Sequence, residues 1–404
     1  MRRARRQRIT PPAWAGPAAA IAAGVLAAAS LGEIAPVSHA VRLAFGLSPL
    51  GLGATISLIT LTTAALAAPA GIWLRHRDAR PWLAAGLGIM AVTGALMTVA
   101  APDQAALLGL RALQGAGYLV IVVGGPVALV RQLAPDRSPA ALALWGGCTP
   151  AGLAISAAAG GAAGGGLWRV WLLALAAGCA AAAGAVLVTA RRPAPVPLEP
   201  AAAPADAAPP AGRLRLAGPL QLAGGFGLLS LLAVGMVSLY PAFLTSRLSM
   251  SAAAAGAATS VVAAASIPAN AVAAVLLRRG VRPSTLAGAM LACPPLAFAA
   301  LAGGLPAAVI VGAGAALVFA IGLAASAAYA SLPAVARSDA ALPLVNGILV
   351  QVGSAGGLVG PPLFAAVTGL RHWDLIAYLT IPVAIGSAAA MVSATLAIRT
   401  RVLA

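Results

Sequence analysis

A polar side chain held in hydrocarbon is either matched by a partner or used for chemistry, because leaving it unmatched is costly. Of the eight carboxylates in this 404-residue sequence, Asp78, Asp103, Asp136, Glu199, Asp206, Asp339 and Asp374 lie in or beside the breaks between apolar stretches. Glu33 is the one acid inside such a stretch, and Arg111 is the one arginine so placed. Burying that arginine alone would cost about 2.5–3.5 kcal/mol on insertion scales. An isolated acid near an isolated base suits the handling of a proton: a carboxyl that meets water from alternate sides of a membrane changes its protonation as access changes. Glu33 is the expected coupling carboxylate, with Arg111 and Gln114 as its partners. The bland alternatives are that Glu33 faces water near its helix end, and that Arg111 is paired only to carbonyls or to Gln114.

Uncharged polar residues in the second half are the other candidates. Gln221, Asn270, Asn346 and Gln351 fall within apolar stretches, where an amide either bonds a neighbouring helix or faces a cavity. Asn346 and Gln351 stand on neighbouring faces of one helix, which favours them as substrate contacts. Tyr240, Trp145 and Tyr329 have the amphipathic character to touch a substrate, although aromatic residues in spans also serve packing and interface belts.

Other chemistries lack their residues. His39, His76 and His372 lie at stretch ends, with no H-E-x-x-H pattern and no paired acids, so an intramembrane enzyme is disfavoured. Cys148, Cys179 and Cys293 have no paired spacing, so neither a disulfide framework, a metal site nor a cofactor is indicated. All 25 basic residues are arginine, and the missing lysine excludes a Walker A phosphate loop and with it an own ATPase. The net charge of +17 is distributed in short clusters between apolar runs, which is not the basic patch of a nucleic-acid binder. An arginine-only basic set also points to a GC-rich bacterial genome, hence to a bacterial inner membrane.

The elements that must position these residues follow from composition. Apolar residues make up 61% and charged residues 8% of the chain, against roughly 25% charged in ordinary soluble domains. Stretches long enough to cross ~30 Å of hydrocarbon recur from end to end. Breaks at Arg, Pro and Gly place spans at about 14–39, 49–73, 82–101, 104–130, 139–163, 168–190, 219–244, 252–277, 284–303, 306–332, 342–368 and 373–397. Glu33 precedes the far end of the first by about six residues and Arg111 follows the start of the fourth by about seven, so both sit ~10 Å deep from the same surface.

Residues 191–218 carry Arg191, Arg192 and the prolines 193, 195, 197, 200, 204, 209 and 210, a composition that stays extended and solvated. This linker divides the chain into a bundle over 1–190 and a second over 219–404. Alternate loops and the two termini hold 20 of the 25 arginines, so the positive-inside rule makes both termini cytoplasmic. Gly32 with Gly235, and Arg75 with Arg278, recur at an offset of 203 residues, as two related halves would.

The segment Arg111-Ala112-Leu113-Gln114-Gly115-Ala116-Gly117 resembles the R-x-x-Q-G-x-G motif in the fourth helix of the major facilitator superfamily. Gly71 to Arg80 resembles that family's G-x-x-x-D-R-x-G-R-R loop between spans 2 and 3, with Arg75 in place of the aspartate and Asp78 in place of the glycine. Gly32-Glu33-Ile34-Ala35-Pro36-Val37 is similar to the acidic first-helix segment of twelve-span drug and sugar exporters, and Trp168-Arg169 to the W-R pair before span 6. The G-x-x-x-G-P packing motif of proton antiporters is absent from span 5 and is better matched by Gly356, Gly360, Pro361 and Pro362 in span 11.

The resemblance implies an all-helical membrane fold of two six-helix bundles that rock about a central site. It implies an arginine in span 4 linked to proton transfer, and gating by Gly71, Arg75, Asp78 and Arg80. The expected function is proton-coupled export of a small, largely apolar or anionic organic solute, by a monomer needing only protons, substrate and bilayer. Uptake of a small anion, as in cyanate-permease-like members, is the alternative.

Overall fold

The computed structural model describes residues 14–99, 103–163, 166–189, 216–369 and 372–399. Linker residues 191–215 lie outside that set, as do the arginines at 2, 3, 5, 6, 8, 371 and 401. Among the described residues there are twelve helices long and apolar enough to cross a membrane. The first six are α1 (Ala15–Ala44), α2 (Gly51–Leu74), α3 (Ala79–Val99), α4 (Gln104–Gln132), α5 (Ser138–Ala163) and α6 (Trp168–Thr189). The second six are α7 (Ala217–Leu248), α8 (Ala254–Arg278), α9 (Pro283–Ala300), α10 (Ala307–Ala336), α11 (Leu342–Thr368) and α12 (Asp374–Thr395). Helix is the form these sequences must take, because hydrocarbon offers no partner to backbone N–H and C=O groups and only an internal ladder satisfies them.

The helices form two bundles with the same internal plan. In the first, α1 packs on α4, α5 and α6, α2 on α4, and α3 on α4 and α6. In the second, α7 packs on α10, α11 and α12, α8 on α10, and α9 on α10 and α12, which repeats every pairing six helices later. Lipid tails are as apolar as leucine, so the helices associate through close packing at small residues. Gly86 of α3 and Gly117 of α4 face each other so closely that a Cβ on either would stand 2.7 Å from the other's carbonyl oxygen. Gly356 and Gly360 of α11 abut the backbone of α7 at Gly227 and Leu231, so this pair in the second bundle is a helix-packing seam.

The bundles meet mainly toward the face where the arginine-bearing loops lie. Here α11 packs on α2 and α4, while the first half of α5 (Ser138–Gly146) packs on α10 and on the Ser266–Arg278 part of α8. At Gly71 a Cβ would collide with the carbonyl of Pro343, and at Gly347 with that of Ala67. Further along the seam, the hydroxyls of Thr63 and Ser354 are hydrogen-bonded at 3.0 Å.

Candidate functional site

The helix that opens α1 ends at Gly32, ahead of a single 3-10 turn over Ala35–Val37. Pro36 has no N–H, and the break leaves the last carbonyls of the preceding helix without intrahelical donors. A helix C-terminus carries partial negative charge and favours a cation. Arg111 supplies it from α4: its Nη1 donates to the carbonyl of Ser30 at 3.2 Å and its Nη2 to that of Leu31 at 3.4 Å. The Nε donates to the carbonyl of Thr55 on α2 at 2.9 Å.

Glu33, the first residue past that helix, turns back onto the same guanidinium. Its Oε1 accepts from Arg111 Nη1 at 3.0 Å and from Gln114 Nε2 at 2.9 Å, and Gln114 Oε1 accepts from the arginine in turn. The exposures of Glu33 and Arg111 are 1% and 0%. A buried pair is tolerated when its remaining hydrogen-bonding capacity is filled, and here three helices fill it. The carbonyl of Glu33, also freed by the helix break, accepts from Trp171 Nε1 on α6 at 3.0 Å. Gly115 lets α4 approach α2, since a Cβ there would stand 2.7 Å from Thr62 Oγ1. The three expected coupling residues are thus brought together, and Trp171 and the carbonyls of Ser30, Leu31 and Thr55 complete their surroundings.

The residues expected to contact substrate do not form one group: Asn270 and Tyr329 meet at Gly146, where a Cβ would stand 2.9 Å from Asn270 Oδ1 and 3.4 Å from Tyr329 Cδ2, while Tyr240, Asn346 and Gln351 are engaged elsewhere. Tyr240 lies inside the second bundle, where its hydroxyl donates to the carbonyl of Ile310 at 2.9 Å, so it is occupied with helix packing rather than turned to a central site. Trp145 is likewise buried in the first bundle against Gly24 and Gly125. Asn270 lies at the seam between bundles, accepting from Ser326 Oγ at 2.7 Å and donating to the carbonyl of Ser266. Asn346 Nδ2 reaches from α11 to the carbonyls of Val122 and Val123 on α4, at 3.0 and 2.9 Å. Gln351 bonds α2, accepting from the Ala68 N–H at 3.0 Å. Tyr329 is half-buried and stacks edge-on against Phe226 at 5.5 Å.

In the loop between α2 and α3, Asp78 is paired to Arg80 at 2.6 Å and also accepts the Arg80 backbone N–H at 3.1 Å. Partial burial raises the Asp78 carboxyl, but the hydrogen bonds and charge of Arg80, joined by Arg131, outweigh it and hold the group below its ordinary range. Arg75 contributes its carbonyl, which with that of Arg77 accepts from Arg131 at 3.5 and 2.8 Å. Arg131 also donates to the carbonyl of Asp339 before α11 at 3.4 Å, linking this loop to the other bundle. In the sequence nothing separates Arg131 from the other arginines; only the packing of α4 beside the loop and α11 gives it these three carbonyls.

The sequence profile of the Major Facilitator Superfamily matches residues 19–340. The structure is similar to that of the human organic anion transporter MFSD10 (TETRAN), with a TM-score of 0.75 and 16% identity over 94% of this chain and 100% of that one. It is similar also to a bacterial homologue of the iron transporter ferroportin in an outward-facing state, with a TM-score of 0.73 and 13% identity over 94% of this chain and 99% of that one. No curated protein sequence matches the chain. At these identities the two structures speak for the fold alone, while the profile covers most of the sequence. Twelve spans in two repeated bundles, under that profile, make the chain a member of the Major Facilitator Superfamily and a membrane transporter.

Proposed function

We propose that this transporter is a secondary carrier that exchanges protons for a small, largely apolar or anionic organic solute, exporting it across a bacterial inner membrane. The observation that carries the reading is the Glu33, Arg111 and Gln114 cluster, a closed ion pair that joins the broken end of an α1 helix to α4 and α2. Protonation of Glu33 cancels one charge of the pair and leaves the guanidinium to the carbonyls alone. That change acts on the junction of three helices, which is where a proton has leverage over the conformation of the whole bundle.

The arginine-bearing loops define the proposed cytoplasmic face, by the positive-inside rule. The seam at Gly71, Gly347, Asn346 and Gln351 lies on that side, so the conformation reads as one closed toward the cytoplasm. Gating by the Gly71 to Arg80 segment is part of the same reading, since Gly71 touches α11 and Arg131 ties the loop to Asp339.

The test is transport in proteoliposomes under an imposed pH gradient, screening apolar compounds against small organic anions. Accumulation in inside-out vesicles driven by an acid interior supports proton exchange. Uptake that ignores the gradient, or a Glu33→Gln carrier with unaltered pH dependence, removes the coupling role. Anion uptake in right-side-out vesicles would favour the import reading instead.

A further inference from the structure

Two prolines interrupt the helices that the first bundle presents to α11: Pro69 in α2 and Pro126 in α4. Proline lacks an N–H, so the carbonyl four residues earlier loses its helical donor. Those carbonyls belong to Ala65 and Val122. A backbone carbonyl left unpaired away from water costs about as much as a lost hydrogen bond. Both receive a donor, and both donors come from one helix of the opposite bundle. Asn346 Nδ2 reaches the carbonyl of Val122 at 3.0 Å, and Gln351 Nε2 that of Ala65 at 3.4 Å. Gln351 Oε1 simultaneously takes the N–H of Ala68, the residue directly before Pro69, at 3.0 Å. Asn346 is fully buried, and its Nδ2 also meets the carbonyl of Val123 at 2.9 Å.

We propose that Asn346 and Gln351 form a latch that holds the arginine-bearing face shut by supplying hydrogen-bond donors to the two carbonyls that Pro126 and Pro69 leave open. The latch rests on the reading that the bundles rock against each other, and on nothing about protons. Its logic is that neither bundle satisfies these groups alone. While the face is closed, the partner helix completes them; when α11 withdraws, water must enter to take its place. The prolines thus convert a generic helix contact into one with a directional, polar closed state carried by two uncharged amides.

The two amides and two prolines define a double-mutant test that plain packing cannot mimic. Spin labels on His76→Cys and Arg282→Cys, both exposed near the arginine-bearing face on opposite bundles, report its opening as a distance distribution in lipid nanodiscs. The three native cysteines are buried. Asn346→Leu is expected to raise the ratio of separated to closed populations about tenfold, the scale of one lost bond to a buried carbonyl. Pro126→Ala restores an N–H four residues after Val122, and in that background the shift from Asn346→Leu is expected to fall below about threefold. Gln351→Leu with Pro69→Ala provides a second comparison, with a smaller shift expected because the bond to Ala65 is exposed, should an Asn346 variant fail to fold. Equal shifts with and without the proline would overturn the latch, as would a distribution that none of the variants moves. Labels that stay at one separation at every pH in the wild type, yet part in the amide variants, would support the latch while counting against proton-driven rocking.

Discussion

Neutralising the Glu33 and Arg111 pair one member at a time is expected to cost more than neutralising both. In Glu33→Gln the guanidinium stays fully buried with its four backbone and amide acceptors but no counter-charge; in Arg111→Gln the carboxylate stays buried and the carbonyls of Ser30, Leu31 and Thr55 lose their donor as well. Breaking a buried pair by removing one partner costs about 3–5 kcal/mol, so both variants fall in that range, with Arg111→Gln the worse of the two. Glu33→Gln/Arg111→Gln leaves no buried charge and a cluster of three amides, so its cost is set by unfilled carbonyls, about 1–3 kcal/mol. The double variant is therefore expected to be at least as stable as either single one. Thermal unfolding in detergent micelles, followed by tryptophan fluorescence with Trp171 adjoining the site, measures the order directly. A double variant that loses the sum of the two single losses would mean that the charges do not sense each other, and the pairing argument would fail.

Three further outcomes follow from single contacts. Gly71→Leu drives a side chain into the backbone of α11 at Pro343 and Leu344, so it should prop open the arginine-bearing face; alkylation of a Ser354→Cys reporter from that side should quicken, and an unchanged rate would show that the contact yields without opening. Trp171→Phe keeps most of the packing but deletes the 3.0 Å bond to the Glu33 carbonyl, which should lower stability by about 1 kcal/mol in thermal unfolding followed by circular dichroism. Asp78 is a depressed carboxyl, so its pairing stabilises the folded protein above the ordinary carboxylate range and the gain disappears only as pH falls through its lowered value. Asp78→Asn should accordingly lower the unfolding temperature near neutral pH and converge with the wild type in acid; a constant gap across that range would contradict the assignment.

The twelve spans, their division into two sets of six and the meeting of Glu33 with Arg111 were legible in the amino-acid sequence, because each depends on hydropathy and on rise along a helix. Hydrocarbon leaves a stretch of apolar residues one backbone solution, so local composition decides the element. The partners of Arg111 were half legible: Gln114 is three residues away on the same helix, whereas the Ser30 and Leu31 carbonyls became acceptors only because α1 breaks ahead of Pro36 and α4 packs at that point. Sharing one helix sets Asn346 and Gln351 apart from Tyr240 in the sequence, but nothing there gives the partner of any of the three. Tertiary packing separated them, turning Tyr240 inward onto Ile310 and carrying the two amides across the seam to carbonyls that prolines elsewhere in the chain had left open. Rotation of a helix about its own axis sets which neighbour a side chain meets, and in a span that is apolar on all sides no amphipathic pattern encodes that rotation. Only the close approaches of small residues between helices decide it.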